Sequence, residues 1–406
     1  MTQSNDLSRS LVVLEQDTTL IAVLELSQSS WLVSAMVPGV QREPVKQLVA
    51  PRLGRGKSAQ APAAADLLAQ LHRWRDEAVQ AGRQVQRIVL AFEAGRDGFW
   101  LARWLRHRDV EAHVIHASSV PVPREHRRAK SDRLDLKLLM RCFLGWLRGE
   151  KKHCQMCPIP TLEEEDARRP GRERETLVAE VRRIVNRMQS RLAQFGVQGF
   201  QPTLRRSAAK LAGLQTPEGE PLPANSRAEL ERLMQRLQVV REQIKAIEQA
   251  RLARLEQAPE QAPHAMVLLL ARVLGLGVET ADLLVTEVLS RPLRDRRAVA
   301  RYGGLTGAPD QSGARHREQG LARSGSARVK RSMIQLAWRC LLFQPDCELV
   351  KWYRERTAKA ARGVRKQMIV ALARKLLVGL WRMARTGEVP NGLRLRAPAP
   401  ALAPVA

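Results

Sequence analysis

Strand-type sequence is confined to roughly the first 120 residues of this chain, and beyond Thr161 the apolar residues recur at intervals of three and four. That switch of period predicts an α/β unit followed by helices. Arg9–Glu15 (RSLVVLE), Thr18–Leu26 (TTLIAVLEL) and Trp31–Val37 (WLVSAMV) read as three consecutive strands. Residues 38–62, rich in Gly, Pro, Lys and Arg, read as an exposed insertion. Ala63–Ala81 has helical spacing through Leu67, Leu68, Leu71 and Trp74, Val85–Phe92 is a buried strand, Gly95–His107 a helix and Val110–His116 a further strand. A helix follows from Ser131, its N-cap. The β-β-β-α-β-α-β-α order over residues 1–150 predicts a mixed sheet flanked by helices.

Residues 151–260 predict a helical region. Thr161 with Glu164, and Ser226 with Glu229, have capping-box spacing. Leu177, Val181, Ile184, Met188 and Leu192 mark one stripe. Leu230, Leu233, Leu237, Val240, Ile244 and Ile247 mark another, which reads equally as a dimerising coiled-coil seam or as half of a helical hairpin within one subunit. Arg251 interrupts it. Residues 261–396 predict a basic, mainly helical domain, and the Pro/Ala-rich residues 397–406 a disordered tail. Within the basic domain Val273–Asp282 has the look of a helix-hairpin-helix turn, with a plain interhelix turn as the other reading.

Charge narrows the partners. The 406 residues carry a net charge of +27, and residues 291–396 hold 25 Lys/Arg against 7 Asp/Glu. Such an excess points to polyanions, nucleic acid first. No apolar run approaches the ~20 residues that span a bilayer, and Met1–Ser10 has no signal-peptide core. Lys351–Arg385, with Trp352 and Trp381, is basic and partly amphipathic, which keeps a membrane surface as a remote alternative. Five cysteines, an odd number, favour a reducing cytoplasm. Cys154 and Cys157, beside His153, lack a second pair at zinc-binding spacing and read as ordinary thiols.

Three acidic positions stand out. Glu93 closes the apolar run 88–92 before Ala94-Gly95, where a strand end faces a cleft. Asp132 and Asp135, three apart at a helix start, project on one face, which one dipole partner would not require. The basic stretch holding Arg127, Arg128 and Lys130 precedes them, and acids beside cations suit divalent ions held next to a phosphodiester. Glu15, ending the expected first strand, or Asp17 beyond it, completes a four-carboxylate set.

Glu93-Ala-Gly-Arg-Asp-Gly-Phe-Trp-Leu-Ala, His113-Val-Ile-His and Arg128-Ala-Lys-Ser-Asp-Arg-Leu-Asp135 resemble the N-terminal domain of the RuvC-like DEDD transposases of insertion sequences, enzymes associated with a bridging guide RNA. The resemblance implies an RNase H-like fold for residues 1–150 and Mg²⁺ (or Mn²⁺) held by Glu15, Glu93, Asp132 and Asp135. Glu stands at 15 where that family has Asp. Arg301–Arg317 (RYGGLTGAPDQSGARHR) and Gly320–Arg328 resemble the family's C-terminal domain, whose Ser-Gly step falls on Ser312-Gly313. By that match Ser312 is the nucleophile on DNA, with Ser324 and Ser326 as the alternatives, and Arg315, Arg317, Arg323 and Arg328 bind phosphate. The implied activity is DNA strand cleavage and exchange by a homo-oligomer with guide RNA. A metal-dependent junction nuclease without a covalent serine, and a non-catalytic nucleic-acid scaffold, are the competing readings.

Overall fold

The computed structural model describes residues 7–49, 61–95, 98–121, 131–150, 153–312, 315–322 and 324–397; for residues 61, 62, 309–312 and 315–319 it describes the backbone alone. The chain divides into two compact units, residues 1–163 and 164–406.

The first unit is built on a six-stranded sheet: β1 (Thr19–Leu26), β2 (Ser30–Met36), β3 (Val45–Val49), β4 (Arg87–Glu93), β5 (Val110–Ile115) and β6 (Met156–Cys157), in the order β3-β2-β1-β4-β5-β6. β1, β2 and β3 pair antiparallel, whereas β4 lies parallel to β1 and β5 parallel to β4. β1 and β4 are continuous apolar runs because both of their faces are covered. Leu20, Ala22, Leu24, Leu90 and Phe92 face a core completed by α1 (Ala61–Gln80) and α2 (Trp100–Arg106). Ile21, Val23, Val89 and Ala91 face Leu136, Leu139 and Phe143 of α3 (Asp132–Leu147). Ser131 caps α3, its side chain accepting from the Leu134 amide.

The order of elements is the expected one, but the strands are displaced. Arg9–Glu15 forms no strand, and Val45–Val49, inside the expected insertion, forms β3. The reason is pairing. Thr19–Leu26 already has β2 on one side and β4 on the other, so no edge remains for the earlier run. Leu11, Val12 and Val13 are accordingly 58, 59 and 82% exposed, while Leu14 packs on the α3 side and the Ser10 amide donates to the Trp146 carbonyl.

The second unit is helical. α4 (Leu162–Asp166) leads into it, and α5 (Arg169–Ala193) and α7 (Ala224–Gln257), linked through α6 (Ser207–Ala212), form a hairpin. Leu230, Leu233, Leu237 and Val240 of α7 are buried against Leu177, Ile184, Met188 and Leu192 of α5. The seam is therefore closed within the subunit, as the hairpin reading expects. Ser226 lies inside α7 rather than capping it, because Pro223 stands at the N-cap. Then come α8 (Ala262–Ala271), α9 (Val278–Leu284) with a π-turn over Val285–Leu289, and α10 (Arg296–Tyr302). A hairpin of β7 (Gly307–Ser312) and β8 (Arg315–Leu321) precedes α11 (Ala327–Phe343), α12 (Glu348–Thr357) and α13 (Arg362–Thr386). Among the described residues no helix is long and apolar enough to cross a membrane.

Candidate functional site

Glu93 is the last residue of β4, half-buried, as a carboxylate closing an apolar run should be. Its neighbour on β1 is not Glu15. The β1–β4 register runs from Thr19 opposite Arg87 to Leu24 opposite Phe92, so the next residues, Glu25 and Glu93, stand level. They share the face formed by Ile21, Val23, Val89 and Ala91, since alternate strand residues point the same way. Glu15 lies at the other end of the sheet: the Thr18 amide donates to the Glu15 carbonyl, and Gln86 and Arg87, at the start of β4, donate to the Thr18 carbonyl. Six residues of strand separate Arg87 from Glu93, about 20 Å at the usual rise. Asp17, at that same far end, is paired with Arg83 at 3.5 Å. Glu15 and Asp17 thus lie at the opposite end of β1 from Glu93, and Glu25 is the carboxylate that stands beside it.

The sequence held a signal for Glu25. It closes the apolar run 20–24 as Glu93 closes 88–92, and the same criterion applied to both would have found it.

Asp132 and Asp135 occupy the first turn of α3, Asp132 exposed and Asp135 half-buried. α3 covers the sheet face that carries Glu25 and Glu93. Its C-terminal half is fixed by His113, whose ring lies 4.9 Å from that of Trp146 and 5.7 Å from that of Phe143. His113 Nε2 is 2.9 Å from Glu111 Oε1, and Arg87 donates to both oxygens of Glu111 at 2.7 and 2.9 Å. The hydrogen bond from His113, then that from Arg87, holds the Glu111 carboxyl down at about 2.

The donor chemistry fits a hard divalent cation: four carboxylates, two level on adjacent strands and two in the opening turn of the helix over that face. Among the described residues, however, no group of three or more His, Cys, Asp or Glu side chains is gathered closely enough to hold an ion. Arg127, Arg128 and Lys130 lie outside the described residues. Near the sheet edge, Cys154 Sγ donates to the Cys142 carbonyl at 3.5 Å, and burial pushes its thiol up to about 12. His153 Nε2 lies 2.6 Å from Glu150.

In the second unit Ser312 is the final residue of β7 rather than part of a loop. Register makes Arg315 its cross-strand partner, and Arg317 that of Asp310. Gly313, Ala314 and Arg323 lie outside the described residues. Where the hairpin leaves the helices, two loops cross with their backbones touching. The Ser326 amide donates to the Tyr302 carbonyl at 2.7 Å, and that of Ala322 to Thr306 at 2.9 Å. Gly325 has φ +93, and a Cβ there would come within 2.5 Å of the Gly304 nitrogen. Only glycine fits.

Arg328, expected on phosphate, is paired with Glu175 of α5 at 3.4 Å, and Arg331 is paired with the same carboxylate. Ser326 caps α11, accepting from the Val329 amide. The Gly275-Leu276-Gly277 turn does join two helices, but its neighbouring amides are used internally: Leu274 donates to the Arg394 carbonyl and Leu276 to Val273. Gln344, fully buried, donates to both the Leu274 and Arg394 carbonyls. These bonds favour the plain interhelix turn.

The break that Arg251 makes in the α7 stripe has partners that the sequence does not reveal. Arg251, 3% exposed, is paired with Glu279 and lies 3.0 Å from Asp282 of α9. Arg174 of α5 pairs with Glu248 at 2.6 Å and Glu279 at 3.1 Å. Burial raises the carboxyls of Glu279 and Asp282, against the pull of Arg251. The arginine that breaks the α7 stripe is thus the pin between the helical hairpin and the C-terminal core.

The sequence model of the IS116/IS110/IS902 transposase family matches residues 267–350, which enclose the β7–β8 hairpin and Ser312. A curated protein of Sinorhizobium fredii (strain NBRC 101917 / NGR234), named "Putative transposase y4rJ", is 39% identical over 386 residues, spanning 92% of this chain and 94% of that protein.

Proposed function

The chain belongs to the IS116/IS110/IS902 family of transposases, and from that premise we propose that it cuts and rejoins DNA with two sets of residues, one in each unit. The first set is Glu25, Glu93, Asp132 and Asp135, which would hold Mg²⁺ or Mn²⁺. The observation that carries it is the level placement of Glu25 and Glu93 at the ends of parallel strands. The strand order and directions support an RNase H-like reading of the first unit. Held by these four carboxylates, a divalent ion would supply activation of the attacking oxygen and stabilisation of the leaving one.

The second set centres on Ser312. Its Oγ forms a bond to phosphorus, one DNA ester P–O bond breaks, and the departing oxygen leaves as a hydroxyl, taking up the serine proton. Attack by a second DNA hydroxyl reverses these steps, restores the serine and joins the new strands. The ester link conserves the energy of the broken bond. Arg315 and Arg317, across the hairpin, supply positive charge for the phosphoryl oxygens. A guide RNA and a homo-oligomer complete this reading, and both rest on the family resemblance. The hydrophobic seam of α7 no longer offers a pairing route, because α5 covers it.

The test is a denaturing gel of the chain incubated with Mg²⁺, its RNA and DNA bearing the element ends. A covalent protein–DNA adduct is expected from the native chain and not from Ser312→Ala. Metal-dependent cleavage with no adduct would replace this reading with that of a junction nuclease.

A further inference from the structure

α13 carries seven lysines and arginines and no acidic residue. Residues 351–385 as a whole hold eleven basic residues against Glu355 alone. This segment lies beyond the family match, which ends at 350. One side of α13 is core: Ile369, Leu372, Leu376, Leu380 and Met383 are buried. Arg374, Lys375, Arg382 and Arg385 are exposed, and at about 100° per residue they fall on the opposite side.

These cations differ from six other arginines of the unit. Arg172, Arg174, Arg251, Arg328, Arg331 and Arg394 each face a carboxylate. Among the described residues no carboxylate pairs with any of the seven on α13. Two of them rest on indoles instead. Lys375 Nζ sits 4.6 Å from the centre of the Trp352 ring, with the Arg356 guanidinium at 5.9 Å, and Arg385 sits 5.1 Å from that of Trp381. A cation on an aromatic face is held in place without having its charge cancelled. The charge is fixed, outward and unspent.

We propose that the outer face of α13 is a docking surface for the phosphate backbone of duplex DNA, separate from the Ser312 hairpin. It rests on the reading of DNA as substrate and adds where the duplex is gripped. A rigid helix suits a rigid duplex. From Arg374 to Arg385 the stripe is about 16 Å long, comparable with roughly five phosphate intervals of one strand at about 3.4 Å each.

The test uses the full chain and a duplex of about 30 base pairs of arbitrary sequence, with affinity measured over a salt series. In the variant Arg374→Gln/Lys375→Gln/Arg382→Gln/Arg385→Gln the slope of log affinity against log salt should be shallower by about three to four, near 0.9 for each phosphate no longer neutralised. Unchanged thermal unfolding would show that the core is intact. If the fourfold variant fails to fold, Arg374→Gln and Arg382→Gln singly should each lower the slope by about one. Lysine at 374, 382 and 385 should restore it. An unaltered slope and affinity would overturn the proposal. So would loss of binding to phosphatidylserine vesicles, or to single-stranded RNA, with duplex binding kept. Ser312→Ala should leave the slope as it is. A native chain that formed no adduct but kept the α13-dependent slope would remove the serine reading and leave this one standing.

Discussion

Glu25, the penultimate residue of β1, and Glu93, the last of β4, stand one residue past the Leu24–Phe92 pair of these neighbouring parallel strands, on the face that α3 covers. Like charges set level on adjacent strands repel, and a divalent cation between them removes that cost. Mg²⁺ or Mn²⁺ should therefore raise the Tm of the native chain, by the mass-action stabilisation of any ligand that binds the folded state alone. Glu25→Gln and Glu93→Gln should each blunt the response. An equal rise in both variants would place the ion elsewhere.

Gly325 predicts a second effect. Its φ of +93 and the 2.5 Å approach to Gly304 leave no room for a methyl group. Gly325→Ala should destabilise the second unit by about 2 kcal/mol or more. Gly320→Ala has a similar φ of +86 but open space around it, and should cost about 1 kcal/mol. Urea unfolding of the two variants separates close packing from backbone strain.

Glu111 gives a pH dependence. Its carboxyl is held at about 2 in the fold, below the value of about 4.3 in an unfolded chain. Its contribution is thus full above about pH 4.5 and is lost as pH falls toward 2. The side chain is 40% exposed, so solvent screening reduces the gain to about 1 kcal/mol. Glu111→Gln should be less stable than the native chain by that amount at pH 7, with the gap closing near pH 2–3. A gap independent of pH would assign the effect to packing.

Much of this layout can be read from the chain alone, and the failures are instructive. The alternation of buried runs and helical stripes fixes the order of elements, because each reports its own burial. The run Leu11–Leu14 misleads because an apolar tetrad does not say whether a neighbouring strand is vacant to pair with it. β1 had two partners already. Glu15 is read from the strand it would end, so without that strand it lies at the far end of β1 from Glu93. Glu93 at the end of β4 and Asp132 at the start of α3 stand where the apolar run and the Ser131 cap lead one to expect them. Arg251 was legible only as a break in a stripe, since its partners, Glu279 and Asp282, lie in a different helix.

Arg251 itself carries a prediction. Its removal leaves two half-buried carboxylates without their main counterion. Arg251→Met should destabilise the second unit by about 3–5 kcal/mol. The triple variant Arg251→Met/Glu279→Gln/Asp282→Asn should recover much of that loss. Denaturant midpoints of the single and triple variants check it, and equal midpoints would show that the pin is not ionic.

The most direct test of the carboxylate site sets Glu25 against Glu15 in cleavage of element-end DNA with Mg²⁺. Glu25→Gln should lower the rate by about 10²-fold or more, the several kcal/mol that a missing metal ligand withdraws from the transition state, while Glu15→Gln cleaves at the native rate. Loss of cleavage in Glu15→Gln with Glu25→Gln still active would contradict the placement of the site at the ends of β1 and β4.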